Sequence, residues 1–295
     1  MKNAACWEKN LLELLRRTSM DLPSDVELAL RRALKRARKG SFAAWALDTI
    51  LQSAAVSRSG SLPLCQDSGT LLFYFSVPVG FDTNAVASVA RSAVAKATRL
   101  GYLRENTVDS VTGAPFSGNV AHGSPVFHFV QGARKTIDAR LVLKGGGSEN
   151  VGTQYALPDE SIGAGRDMDG VRRCILDAVH RAQGNGCAPG VLGVCIGGDR
   201  ATGYAHSKEQ FLRRITDRSP VRALARLESA VLRDAETLRI GPMGLGGAPT
   251  LLGVKVGSLS RLPASYFVTV SYMCWAFRRR GAVFGPEGGV HRWLY

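Results

Sequence analysis

Apolar residues along this chain recur at two periods. Behind Ser24 and Glu27, which have the S-x-x-E spacing of a capping box, the apolar positions of Val26 to Ala37 fall at helical intervals. Leu47, Ile50, Leu51 and Ala54 follow i, i+3, i+4, i+7 and predict a second helix over Phe42 to Ala55. Residues 1–60 therefore read as a helical N-terminal cap. After Pro63 the pattern shortens to an apolar and aromatic run, Leu71 to Val77, followed by a helix from Asn84 to Leu100. Ile137, Ala139, Leu141 and Leu143 alternate with polar partners, the mark of a half-buried strand that ends in Lys144-Gly145-Gly146-Gly147. Met168 to Gln183 and Val221 to Leu238 read as helices, and Val191 to Ile196 and Leu251 to Val256 as short Gly-bounded buried strands. Strands and helices alternate, so the expected architecture is mixed α/β, with the cap followed by a mixed-sheet core over residues 61–295.

Composition narrows the function classes. With 295 residues, 45% hydrophobic and 21% charged, the chain has the makeup of an ordinary globular protein with room for a large core. No run approaches the roughly 18 apolar residues needed to span a bilayer. The N-terminus carries Glu8 and Glu13 and no small-residue cleavage pattern, so a cytoplasmic location is expected. A formal charge of +14 raises nucleic acid or an anionic substrate as partners. Much of the excess sits in dispersed helical arginines such as Arg31, Arg32, Arg36, Arg38, Arg172 and Arg173, without interleaved aromatics. Solvated basic faces account for that pattern better than a nucleic-acid surface does.

Six scattered cysteines do not make a disulfide scaffold in a chain of this length; they are core thiols or metal ligands. Cys6, Cys174 and Cys195 fall in helical or buried-strand patterns, where a small inert hydrophobe is the ordinary reading. Cys65, Cys187 and Cys274 sit in Gly- or Pro-punctuated settings or beside Trp275. Their spacing is far from a compact C-x-x-C, so the residues alone leave a structural thiol and a metal ligand both open.

The words around these cysteines occur in one order with two glycine motifs. Cys65-Gln66-Asp67-Ser68-Gly69 is similar to CQDTG, Lys144 to Asn150 to KGGGSEN, and Ile240 to Gly247 to IGPQGLGG. Cys187-Ala188-Pro189 is similar to CPP, Gly193 to Gly198 to GVGIGG, and Cys274-Trp275-Ala276 to CWA. The chain thereby resembles, over nearly its whole length, the alpha subunit of the class I fumarate hydratase and L-tartrate dehydratase family. That resemblance implies a [4Fe-4S] cluster held by Cys65, Cys187 and Cys274, with one iron left open as a Lewis acid. It implies a hydro-lyase acting on a small dicarboxylic acid. It also implies a beta subunit that supplies the rest of the site from another polypeptide, and assembly into a larger oligomer.

Several polar groups acquire candidate roles through the resemblance. Asp67, by itself a turn-forming residue before Gly69, becomes a candidate to orient a base or relay a proton. Gln66 has amide donors suited to a substrate carboxylate. Arg104, in a Leu103-Arg104-Glu105-Asn106 segment similar to LR-x-N, offers a guanidinium fork in place of a surface C-cap charge. The backbone N–H groups of Gly145, Gly146 and Gly147 are candidates to cradle a carboxylate. The pattern also departs from the family: Leu262 stands where a His is usual, twelve positions before Cys274. Met243, Lys255, Ala248 and Pro249 replace a Gln, a His, a Lys and a Thr. A rival reading is a catalytically weakened paralogue that serves as a non-enzymatic binding or assembly subunit.

Overall fold

A computed structural model describes residues 3–295. In chain order the elements are α1 (Ala4–Met20), α2 (Ser24–Arg36), α3 (Phe42–Gly60), β1 (Thr70–Pro78), α4 (Thr83–Arg99), β2 (Val126–Gly132), β3 (Ile137–Lys144), α5 (Gly146–Asn150) and β4 (Thr153–Ala156). They continue with α6 (Met168–Ala182), β5 (Gly190–Ile196), α7 (Arg200–Glu209), α8 (Arg222–Asp234), β6 (Leu251–Ser258), β7 (Phe267–Met273), β8 (Arg279–Phe284) and β9 (Val290–Leu294). The fold is mixed α/β with helices at its N-terminus, as the periodicity predicts. The helix expected to reach Leu238 gives way after Asp234 to a 3-10 turn over Ala235–Leu238. No helix of the described residues is long and apolar enough to cross a membrane.

The chain forms two compact units. One takes the chain up to Pro23 together with Gln52–Gly146 and Arg278–Tyr295; the other takes Ser24–Leu51 and Gly147–Phe277. The first sixty residues thus contribute α1 to the first unit and α2 to the second.

The first unit is built on a five-stranded sheet of order β2-β1-β3-β8-β9. The β1/β2 pair is parallel and the remaining pairs are antiparallel. Alternate residues of β1 (Leu71, Phe73, Phe75, Val77) and of β3 (Ile137, Ala139, Leu141, Leu143) form one core with Trp7, Leu11, Leu14 and Leu15 of α1 and Val86, Ala90 and Val94 of α4. Period-2 strands and period-3.6 helices bury their apolar stripes against each other. The register sets Thr70 opposite Lys144, and Val142 opposite Arg279. The start of β1, the end of β3 and the start of β8 therefore share one end of the sheet.

The second unit has a four-stranded sheet of order β4-β7-β5-β6, again with one parallel pair, β5/β6. Every residue of β5 is buried, as expected of a strand covered on both faces. Leu192, Val194 and Ile196 pack into a core with Val171 and Ile175 of α6 and Leu227 and Val231 of α8. Gly193 points the other way, where a Cβ would lie 2.1 Å from the Ser207 carbonyl oxygen of α7. That glycine sets how closely α7 lies on the sheet.

Gly193→Ala is therefore expected to lower the unfolding free energy by about 1–3 kcal/mol through overpacking. Gly132→Ala, at a position with nothing within 4 Å of the added methyl, is expected to stay within about 0.5 kcal/mol of the parent. Urea unfolding of both variants checks this; equal effects would contradict the close α7 contact.

Candidate functional site

The loop before β1 is fixed to its surroundings by small polar groups. Ser68 is buried, and its Oγ accepts the Arg104 N–H at 2.7 Å. Gly69 has φ +72, and a Cβ there would lie 2.3 Å from the Lys144 carbonyl oxygen, so only glycine lets this loop lie against the end of β3. The Arg104 segment has its own pin: Asn119 is fully buried, and its Oδ1 accepts the N–H groups of Asn106 and Thr107 at 3.0 and 3.1 Å. Its Nδ2 donates to the Arg104 carbonyl at 2.9 Å.

These constraints gather most of the predicted polar residues within the first unit. Arg104 Nη1 donates to Gln66 Oε1 at 2.7 Å, and both residues are exposed. Asp67 Oδ2 accepts the Gly146 N–H at 2.6 Å, and Asn106 Nδ2 lies 3.5 Å from its Oδ1. The glycine run thus presents one of its backbone donors to a carboxylate of the chain itself. Gly145, buried beside Asp67, would bring a Cβ to 2.9 Å from Oδ2 and 3.7 Å from Arg278 Nη2. Gly147 belongs to the second unit, within α5. Asn119 and Arg278 carry little functional signal in the sequence. The Gly118-Asn119 pair is a turn signal for the former, whereas nothing in the Arg278-Arg279-Arg280 run distinguishes its first member.

In the second unit the loops of Cys187 and Cys274 meet. Cys187 has φ 52, its N–H donates to the Gly184 carbonyl at 3.0 Å, and its carbonyl accepts the Trp275 N–H at 3.1 Å. Tyr272 is buried beneath them, against Gly186 and Gly190, where Cβ atoms would lie 2.5 and 2.3 Å from its ring. Burial holds the Tyr272 phenol well above its ordinary value, and the adjacent Cys274 and Cys187 push it the same way. The Gly241 to Gly247 segment also bears on this place. The Met243 N–H donates to the Ala188 carbonyl at 2.8 Å, and Gly244 packs on Gly184.

The six cysteines are all free. Cys174 and Cys195 are fully buried, and burial pushes each thiol up to about 12. Cys65, Cys187 and Cys274 lie on loops and are partly exposed. Among the described residues no three His, Cys, Asp or Glu side chains converge on a point that would hold a single metal ion. A cubane places different demands on its donors, because each thiolate binds a separate iron. Soft, partly exposed sulfur donors fit that chemistry.

The departures from the family pattern have structural consequences. Leu262 is 73% exposed, in the segment between β6 and β7. Lys255 is buried in β6, where its ammonium donates to the Asp217 carbonyl and lies 3.2 Å from the Asp217 carboxylate. Burial draws that ammonium below the ordinary lysine value, and Asp217 opposes the shift. Met243 is 42% exposed and is tied to the Ala188 carbonyl by its backbone N–H.

The family model described as fumarate hydratase (Fumerase) matches residues 8–283. A protein of Geobacillus stearothermophilus with the provisional name fumarate hydratase class I is 45% identical over 291 residues, 97% of this chain and 57% of that protein. A Methanocaldococcus jannaschii protein, provisionally named L(+)-tartrate dehydratase subunit alpha, is 30% identical over 275 residues, 91% of this chain and 94% of the relative. The L(+)-tartrate dehydratase subunit alpha of Escherichia coli (strain K12) is 28% identical over 264 residues, 88% and 85% of the two chains. The chain spans little more than half the length of the first relative and most of the length of the other two. A match running from the first helix into β8, through every loop described above, establishes that the chain belongs to the fumarate hydratase (fumerase) family.

Proposed function

We propose that the chain is the alpha part of a hydro-lyase that adds water to, or removes it from, a small dicarboxylic acid of the fumarate/malate or tartrate type. The observation that carries this reading is the Asp67 carboxylate. It stands two residues after Cys65 with its orientation fixed by the Gly146 N–H at 2.6 Å, on the loop whose Gln66 meets Arg104. In this reading Cys65, Cys187 and Cys274 hold a [4Fe-4S] cluster. When bound, the cluster supplies an open iron that acts as a Lewis acid toward the substrate hydroxyl.

The chain's own groups bind and orient. The Arg104 guanidinium holds one carboxylate through charge-assisted hydrogen bonds, and the Gln66 amide contributes a further donor. The backbone from Gly145 to Gly147 permits close approach of an anion because no Cβ intervenes. Asp67, held at Oδ2 and close to the Asn106 amide at Oδ1, is a base of fixed direction that assists transfer of the proton lost from carbon. A beta subunit completes the site with the cations and the proton acceptor that the reaction still needs, and the pairs assemble further. Six free thiols and the absence of a membrane-crossing helix among the described residues suit a reducing, cytoplasmic setting.

Anaerobic co-expression with a beta-type subunit is expected to give a brown protein with about four irons and four sulfides per alpha chain. It is also expected to turn over at least one of malate, fumarate, tartrate and mesaconate. An intact cluster with no turnover would favour the binding or assembly role instead, and bound zinc without sulfide would refute the cluster. Serine at Cys65, Cys187 or Cys274 should deplete iron and sulfide, while Cys6→Ser should retain both. Asp67→Asn should keep the cluster and lower kcat by about 10²–10⁴, the range of general acid–base catalysis; an unchanged kcat would remove Asp67 from proton transfer.

A further inference from the structure

The Arg278-Arg279-Arg280 run enters β8 from the same sheet end that carries Asp67, and its members have different surroundings. Arg279 stacks over the Tyr295 ring at 4.6 Å. Arg280 donates to the Asp21 carboxylate and to the Leu22 carbonyl, each at 2.8 Å. Arg278 is 1% exposed, and its Nε and Nη1 have no hydrogen-bond partner among the described residues. Its backbone is secured, since the Arg278 carbonyl accepts the Leu143 N–H at 3.0 Å. Its Nη2 lies 3.7 Å from the point where a Gly145 Cβ would stand, and Asp67 Oδ2 lies 2.9 Å from that same point.

A guanidinium stays protonated at any pH the fold survives, and burying it with open donors is unfavourable unless something supplies the missing acceptors. Asp67 Oδ2 takes the Gly146 N–H, and neither Nε nor Nη1 of Arg278 finds an acceptor in its carboxylate. Because Gly145 has no Cβ, Asp67 Oδ2 and Arg278 Nη2 both come close to the point that a side chain there would occupy. We propose that Arg278 is a substrate-binding residue that takes the second carboxylate of the dicarboxylic acid, complementing the exposed Arg104 that takes the first. This assignment rests on the hydro-lyase reading. Nε and Nη1 lie on different edges of the guanidinium, so it can grip a carboxylate on one edge and still offer a donor on another. The pairing of one exposed and one buried guanidinium in the first unit selects for acids with two carboxylates. An acid with one carboxylate leaves the buried cation unsatisfied.

Succinate, which has neither a double bond to hydrate nor a hydroxyl to eliminate, permits an equilibrium test on the cluster-loaded protein with its beta subunit. Calorimetric titration compares succinate with succinamate, its monoamide. The parent is expected to prefer succinate by about tenfold or more, as for loss of a charge-assisted hydrogen bond. In Arg278→Met that preference should collapse toward unity, and Arg278→Lys should recover part of it. The ligand-free midpoint of thermal unfolding should hold or rise in Arg278→Met, because the variant removes a buried cation that lacks acceptors. An unchanged preference for succinate, or a parent that does not discriminate the two ligands, overturns the assignment. So does a fall in the midpoint with the preference intact, which marks a purely structural arginine. A parent that binds neither ligand refutes the dicarboxylate reading itself, and the role of Arg278 with it.

Discussion

The Gly146 N–H stands at the start of a five-residue helix, where a backbone donor has no partner within the helix, and the Asp67 carboxylate accepts it at 2.6 Å. Two missing Cβ atoms make that bond possible: one on Gly69 would strike the Lys144 carbonyl, and one on Gly145 would crowd Asp67 itself. The loop after Cys65 is thereby fastened to the end of β3, and Ser68 ties the Arg104 segment to the same loop. The placement of Gln66, Asp67, Arg104 and Asn106 follows from this fastening. A substitution at either glycine would displace groups that touch neither residue.

The second unit uses a similar economy of side chains. Gly186 and Gly190 let Tyr272 lie beneath the Cys187 and Cys274 loops, and the Gly241 to Gly247 segment closes against them through backbone contacts. This explains how Met243 replaces a glutamine without loss of the loop. Lys255 is a different kind of replacement. Where the family usually has an imidazole, this chain has an ammonium engaged with Asp217 inside the second unit. Leu262 presents a leucine to solvent instead of an imidazole. Both changes replace an imidazole of the family pattern, and they leave the cysteine loops and the Asp67 network in place.

The amphipathic helices were legible because each buries one stripe. Ser24 to Arg36, Phe42 to Gly60 and Thr83 to Arg99 lie close to where the apolar spacing places them. β3 was legible by alternation, and β5 and β6 by continuous apolar runs. β7 was not, because its polar positions are interior. Thr269 accepts from Gln154, and Ser271 exchanges a hydrogen bond with Ser207 of α7, so polarity there does not mean exposure. β8 opens with a buried arginine, which reads as surface in any hydropathy pattern. The interleaving of two units left no compositional trace. The site words were readable only through a family resemblance. Asn119 was readable only as part of a Gly118-Asn119 turn and Arg278 not at all, since their importance lies in burial and hydrogen-bond geometry.

In the proposed hydro-lyase, the thiolates of Cys65, Cys187 and Cys274 would hold a cubane with one iron free to meet substrate. Mössbauer spectroscopy of the anaerobic, 57Fe-loaded protein co-expressed with a beta-type subunit gives the sharpest test. Three irons of like character and one distinct iron whose signal shifts on addition of a dicarboxylic acid would bear the claim out. Four equivalent irons indifferent to the acid, or no cluster spectrum in protein reconstituted with iron and sulfide, would contradict it.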